Sequence, residues 1–239
     1  MRLAQHLLRF FLPWACAGCR KALGTLEDSG FCGSCWLSIP RIQGLVCMAC
    51  GLPLRDGGSF CYACRQDPPS LLIRAATEYR GVMRPAIHRF KYAGRMELHH
   101  VLGVFMRYAW SQYPEIRDVQ GLVPVPLHQN HEKIRGFNQA ELLAQALACD
   151  TGLRVLPLLV RRRATPSQVK LDRVSRRENV RSAFALQPLS PDHMAILKGL
   201  SFLLIDDVCT TTSTLRECAA VLRKAGAGPV KALVLARDL

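Results

Sequence analysis

Two groups of residues in this chain have types and spacings that could do chemistry. Near the C-terminus, Asp206 and Asp207 are followed by Val208, Cys209 and a run of hydroxyls, Thr210, Thr211, Thr212, Ser213 and Thr214. A turn that aims hydroxyls, backbone N–H groups and a helix N-terminus at one point suits a phosphate. Adjacent carboxylates would repel that anion unless they are directed at another part of the same ligand, and the 2′ and 3′ hydroxyls of a ribose fit that role. The plainer alternative is an ordinary strand-to-helix turn with capping residues. The second group is eight cysteines in four Cys-x-x-Cys pairs: Cys16/Cys19, Cys32/Cys35, Cys47/Cys50 and Cys61/Cys64. Two such pairs complete a tetrahedral thiolate site for structural zinc, a better fit to this spacing than disulfides or an iron–sulfur cluster.

The cysteine pairs repeat. Cys16 and Cys47 are 31 positions apart, Cys32 and Cys61 are 29 apart, and Phe31 and Phe60 each precede the second pair of a unit. A duplicated unit that closes its own site predicts two zinc ions, one on Cys16, Cys19, Cys32 and Cys35 and one on Cys47, Cys50, Cys61 and Cys64; an interleaved cross-brace is the alternative. Of the other cysteines, Cys149 and Cys218 read as core fillers, and Cys209 as a small loop residue rather than a nucleophile.

These residues need elements to position them. Phe202–Ile205 is an apolar run of the kind found in buried parallel strands. Leu215–Ala225 has helical spacing, Thr214 and Glu217 stand at capping-box spacing, and Gly226 is placed to stop the helix. Val230–Ala236 supplies the next strand. Upstream, Leu71–Tyr79 reads as a strand, Val82–Tyr92 and Glu97–Trp110 as helices, and Gly121–Val125 as a strand ended by the prolines of Pro124-Val125-Pro126-Leu127-His128. Asn138 caps a helix over Gln139–Ala148, and Val155–Val160 returns as a strand. Strands alternating with helices predict an α/β fold with a parallel sheet, whose ligands bind at the carboxyl ends of the strands. Pro68-Pro69 marks a linker, dividing the chain into a double ribbon over residues 1–67 and an α/β domain over 68–239. His128 and His131 read as hydrogen-bonding or surface residues rather than as acid/base groups.

Charge narrows the ligand class. With 239 residues, 32 basic against 18 acidic groups and 25 arginines to 7 lysines, the net charge is +14. Guanidinium groups grip phosphates in pairs of hydrogen bonds, so a nucleic acid or polyphosphate is a natural partner, and a solvated basic surface is the bland alternative. Eight cations lie between Arg161 and Arg181, including Arg161, Arg162, Arg163 and Lys170, against Asp172 and Glu178; this reads as a mobile cationic loop. Met1–Trp14 is too short and too charged for a membrane span and reads as a short amphipathic helix, and a cytoplasmic protein is expected.

The C-terminal residues resemble the phosphoribosyl diphosphate (PRPP) signature of type I phosphoribosyltransferases. The resemblance implies that Asp206 and Asp207 hold the ribose, that Thr210, Thr211, Thr212, Ser213 and Thr214 wrap the 5′-phosphate, and that Mg²⁺ arrives with PRPP. That signature has Gly at the position of Thr212; a β-branched residue held there at positive φ would cost about 1–3 kcal/mol. Phe90-Lys91-Tyr92-Ala93-Gly94, Val123-Pro124-Val125-Pro126-Leu127-His128, Arg135-Gly136-Phe137-Asn138-Gln139, Arg163-Ala164-Thr165-Pro166-Ser167-Gln168 and Arg177-Glu178-Asn179-Val180-Arg181 extend the likeness. In this order they resemble the competence protein F (ComF) family, a zinc ribbon followed by a phosphoribosyltransferase-like domain. The resemblance implies a role in DNA uptake or use, with single-stranded DNA and inner-membrane uptake machinery as partners. It gives Val125, Pro126 and Leu127 the diphosphate loop and Arg161, Arg162, Arg163 and Lys170 the flexible loop, with Arg135 as a further diphosphate contact. Two functions stay open, a DNA-handling protein whose Trp14, Trp36 or Phe137 could stack bases, and an active transferase with an unidentified acceptor.

Overall fold

A computed structural model describes residues 15–24, 30–54, 57–68, 70–162, 183–188 and 197–239. The expected N-terminal helix over Met1–Trp14, and Arg163, Lys170 and most of the basic loop, lie outside these residues. The ribbon segment carries two five-residue helices, α1 (Gly33–Leu37) and α2 (Tyr62–Gln66), each starting directly after a ligand cysteine, Cys32 or Cys61.

Beyond it the chain alternates β1 (Leu72–Glu78), α3 (Met83–Tyr92), α4 (Leu98–Gln112), a 3-10 turn at Pro114–Ile116, β2 (Gly121–Pro124), α5 (Gln129–Arg135), α6 (Gln139–Thr151), β3 (Arg154–Val155), β4 (Leu159–Arg161), β5 (Phe184–Leu186), β6 (Phe202–Cys209), α7 (Ser213–Lys224) and β7 (Val230–Arg237). Five strands form an all-parallel sheet in the order β1-β7-β6-β2-β3. The chain therefore has the expected α/β fold, preceded by a double zinc ribbon. Alternation along β6 sorts the core. Leu203 and Ile205 face a layer that includes Ile87, Phe90, Leu102, Phe105 and Leu143, whereas Phe202 and Leu204 face Leu215, Cys218, Ala219 and Leu222 of α7.

Several elements differ from their sequence reading. The segment expected as one strand over Val155–Val160 breaks around Pro157: β3 joins the main sheet, and β4 pairs antiparallel with β5 in a separate hairpin. β6 runs four residues beyond its apolar start, so both acids lie within the strand. α7 begins at Ser213, with Thr212 rather than Thr214 at the cap position. An unanticipated helix, α5, fills the space between the Val125–His128 loop and α6; the His128 ring accepts from the Asn130 N–H at its start, and Gly136, at φ 79°, ends it. Cys149 is exposed, contrary to the core role expected of it, while Cys218 is buried.

The two ribbons sit differently on the domain. The first shares one apolar core with it: Cys16, Ala17, Phe31, Cys32, Cys35 and Ile39 pack in the cluster containing Met83, Ala86, Phe90 and Phe105. Trp36 lies against Phe105 with ring centroids 5.2 Å apart. The second ribbon has a small cluster of its own around Cys47, Cys50, Cys61 and Cys64. It docks on β1 largely through the backbone, with the Ile73 N–H donating to the Ala49 carbonyl at 2.8 Å. Arg74, buried and paired with Glu115 at 2.5 Å, donates to the Cys47 and Met48 carbonyls. The join to β1 is pinned from α7, where Arg216 reaches Asp67 at 3.0 Å and Arg223 the Ser70 hydroxyl at 3.1 Å.

Candidate functional site

The carboxyl ends of β2 and β6 meet beside the N-terminus of α7. β6 lies between β7 and β2, so Asp206 and Asp207 emerge in the middle of the sheet. The Asp207 N–H donates to Asp206 Oδ1 at 2.8 Å, and Asp207, itself buried, receives Lys91 Nζ at 2.9 Å on Oδ1. Lys91 comes from the last turn of α3. Burial and then the neighbouring Asp207 push Asp206 up to about 7, against the opposing pull of Lys91 and Arg161. Burial works against the Lys91 charge, yet Asp207 outweighs it and raises the lysine above its ordinary value. Asp207 and Lys91 thus form a buried ion pair, and Asp206 beside them shares a proton with solvent near neutrality.

The hydroxyl run closes the site on the α7 side. Thr211 Oγ1 and Ser213 Oγ are 3.3 Å apart, and the Cys209 thiol reaches the Thr211 carbonyl at 3.4 Å. Thr212 has φ −76° and ψ 0°, ordinary right-handed backbone, so the strain expected of a threonine in place of glycine does not arise. Burial raises the Cys209 thiol to about 11, which leaves it a poor nucleophile, in keeping with its expected role.

The opposite wall is the Val125–His128 loop. The Val125 N–H donates to the Ile205 carbonyl at 2.9 Å, Asn138 Nδ2 donates to the Val125 carbonyl at 3.1 Å, and the His128 backbone bridges in parallel to Arg161. Arg161 lies over Phe184 at 5.4 Å. Its burial lowers its pKa, and Asp206 counters that. Val125, Pro126, Leu127, Arg161, Lys91 and the acids are thereby gathered around one point. Arg135 is placed elsewhere: it stacks over the Tyr92 ring at 4.6 Å and donates to Gln139 Oε1 at 2.9 Å and the Tyr92 hydroxyl at 3.0 Å. Arg162 is exposed, its N–H donating to the Ala183 carbonyl. The aromatics considered for stacking are occupied; Phe137 is buried against Phe90 at 5.7 Å, Trp36 packs on Phe105, and Trp14 lies outside the described residues.

Lys91 is the residue that sequence reasoning missed. It stood within a quoted motif, but a lysine in the last turn of a helix reads as a favourable charge on the helix dipole. The signal that could have found it is its neighbour Phe90: a fully buried residue at the helix end means that the turn is tucked under the sheet rather than free in solvent.

The cysteines assemble as the duplication predicts. The sulfurs of Cys16, Cys19, Cys32 and Cys35 all lie within 4.8 Å of one another, as do those of Cys47, Cys50, Cys61 and Cys64. Cys19 and Cys32 Sγ are 3.7 Å apart, and so are Cys50 and Cys61 Sγ, close to the edge of about 3.8 Å for a tetrahedron with zinc–sulfur bonds of about 2.3 Å. The Ser34 hydroxyl and the Cys35 N–H hold the Cys32 thiol down to about 6, favouring the thiolate that zinc needs. Both sets fit structural zinc, with all four positions filled by protein.

Comparison with known proteins agrees with this architecture. The double zinc ribbon domain family matches residues 7–65. The chain is 33% identical over 241 residues to DNA utilization protein YhgH of Escherichia coli, covering 95% of this chain and 99% of that protein. It is 29% identical to competence protein F of Haemophilus influenzae, covering 95% and 98%, and 29% identical to competence protein ComFC of Bacillus subtilis, covering 88% and 85%. Among solved structures it is similar to the allosteric regulatory enzyme of purine biosynthesis, with TM-score 0.35 and 18% identity over 57% of this chain and 25% of that one. A second is glutamine PRPP amidotransferase from B. subtilis, with TM-score 0.34 and 16% identity over 60% of this chain and 26% of that one. Among the described residues no helix is long and apolar enough to cross a membrane.

Proposed function

The chain belongs to the family of DNA utilization protein YhgH and competence protein F, and on that premise we propose that it handles single-stranded DNA and carries a PRPP-binding site at the ends of β2 and β6. The observation that carries the ligand reading is the convergence of Asp206, Asp207 and Lys91 with the hydroxyl run at the start of α7. Asp206 accepts from the ribose hydroxyls, Thr210–Thr214 take the 5′-phosphate at the helix N-terminus, and the Val125–Leu127 loop with Arg161 faces the diphosphate. Mg²⁺ enters with the diphosphate, since the carboxylates and hydroxyls here are the hard oxygen donors it takes. Lys91 holds the second carboxylate in place and leaves the first to meet the sugar.

A second reading, transfer of the ribose 5-phosphate to an acceptor, draws on the cations at this site. Lys91 and Arg161 both act on Asp206, so fixed positive charge stands where a departing diphosphate would develop its negative charge. The DNA-handling role rests instead on family membership and on the net charge of +14.

The test is a pair of titrations, with PRPP·Mg²⁺ and with a short single-stranded oligonucleotide, on the wild type and on the Arg161→Ala, Arg162→Ala, Arg163→Ala triple variant. The wild type is expected to bind both. Its DNA affinity should fall with salt at about −0.7 log units per phosphate neutralised, and the triple variant should flatten that slope by up to about two units. An unchanged slope with lost PRPP affinity assigns the arginines to the diphosphate alone, and absence of oligonucleotide binding in the wild type overturns the DNA role.

A further inference from the structure

The zinc centres and the candidate ligand site share two arginines. Arg89, on α3, donates through Nη1 to the carbonyls of Ala17 and, at 3.0 Å, Gly18, inside the first cysteine knuckle. Two residues further along the same helix, Lys91 makes the 2.9 Å ion pair with Asp207. Arg237 does the corresponding work on the other side. It is the last residue of β7, buried, and its Nη1 donates to the Cys209 carbonyl at 3.2 Å and touches Cys209 Sγ. Burial works against its charge, but the sulfurs of Cys209 and of Cys50, a ligand of the second centre, raise its pKa above the ordinary value. Cys209 opens the hydroxyl run, and its carbonyl also accepts from the Asp238 N–H at 3.0 Å.

Four thiolates on Zn²⁺ leave a net charge of about −2, so a guanidinium at each knuckle compensates a charge that would otherwise sit uncovered beside the protein core. The geometry is selective. Each centre has its own arginine, and each arginine stands on the element that supplies a different half of the ligand site. Packing alone does not require this, because the first ribbon is already fixed by a shared apolar core.

We infer that Arg89 and Arg237 are positioning residues that tie the two metal centres to the two halves of the ligand site, the first centre fixing Lys91 at the end of α3 and the second fixing the Cys209–Ser213 loop. Its consequence for ligand affinity rests on the PRPP reading; the coupling itself does not. Because such coupling is reciprocal, bound ligand should also slow zinc release by the factor by which zinc tightens the ligand.

The experiment uses the full chain loaded with zinc and compares the wild type with Arg89→Met and Arg237→Met by amide hydrogen exchange and by extraction of zinc with a chromophoric chelator. Arg237→Met should speed exchange across residues 209–213 at least about tenfold and hasten release of one zinc by about 10–100-fold, leaving residues 91–93 at the wild-type rate. Arg89→Met should do the reverse, acting on residues 91–93 and on the other zinc. Arg89→Lys and Arg237→Lys, which keep the charge and lose the fork, should show the same crossed pattern at smaller size and serve if a methionine variant does not fold. Wild-type exchange in either variant's own segment, or equal acceleration of both segments by both variants, overturns the inference. A parallel PRPP titration should show at least fivefold weaker binding in each methionine variant. If the wild type takes up no PRPP, the ligand reading fails while the exchange pattern still decides the coupling.

Discussion

The two ribbons carry the same four-cysteine unit, yet they are held to the domain by different physics. The first contributes Phe31, Cys35 and Ile39 to the core that α3 and α4 build, and Gly18 lets the knuckle close in, since a Cβ there would meet Cys35 Sγ at 2.9 Å and Val82 Cβ at 3.2 Å. The second buries little beyond its own cysteines and is held by backbone hydrogen bonds, Arg74 and Arg237. The repeated phenylalanines show the divergence: Phe31 is 1% exposed and Phe60 40%. Apolar burial is non-directional and fuses a module into the fold, whereas hydrogen bonds to fixed carbonyls hold a module in one register without making the core depend on it. Duplication thus produced one structural ribbon and one docked ribbon.

The most forceful way to break this comparison is to remove one metal at a time. Cys35→Ser should cost the whole protein several kcal/mol and lower its main thermal transition by more than about 10 °C, because an emptied first ribbon takes part of the shared core with it. Cys47→Ser should release one of about two zinc equivalents and leave the transition of the α/β sheet within about 3 °C. Equal losses measured by calorimetry and metal analysis would mean that the ribbons are anchored alike.

A backbone position sharpens the contrast. The residue after the second cysteine of each knuckle has positive φ, 68° at Gly51 and 71° at Arg20. A Cβ at Gly51 would lie 2.6 Å from the Ile73 carbonyl oxygen, against rigid backbone. Gly51→Ala should therefore loosen the second ribbon by about 2–3 kcal/mol, visible as faster exchange of the Ile73 amide.

The polar character of the second ribbon's side continues through Arg237 and Cys209 to the acids. Asp206 has its pKa raised from 3.8 to about 7, so the folded state holds a proton that the unfolded chain has released. The stability this gives is complete below pH 4, declines as pH rises, and is gone above about 7. Asp206→Asn should accordingly stabilise the ligand-free protein by about 2 kcal/mol more at pH 8 than at pH 5 in denaturant titrations. A stability difference independent of pH would contradict the buried, proton-holding Asp206. The smallest effect belongs to the first ribbon: Arg20→Gly should add about 1 kcal/mol by relieving its positive φ, with no change in docking.

Much of this was legible because local pattern and tertiary role coincide. The apolar runs of β1, β6 and β7, the Asn138 cap and the spacing of the cysteines each report a physical requirement within a few residues. What escaped depends on partners far along the chain. β4 pairs with Phe184–Leu186, more than twenty residues on, so nothing in Val155–Val160 shows that Pro157 divides two strands of different sheets. The pairings of Arg89 with the first knuckle, of Lys91 with Asp207 and of Arg237 with Cys209 are likewise long-range, and a basic residue on an amphipathic element or at a strand end looks the same in sequence whether it meets solvent or a buried acid. Cys149 was misread because an occasional cysteine on a helix carries no sign of which face it takes.

The central claim is that the acids ending β6 hold the sugar of PRPP, and calorimetric titration of the zinc-loaded chain with PRPP in excess Mg²⁺ tests it most directly. The account predicts saturable binding by the wild type and none detectable by the Asp206→Asn, Asp207→Asn double variant, with about two zinc equivalents and an unchanged far-ultraviolet spectrum in both. Equal PRPP affinity in the two proteins would contradict it.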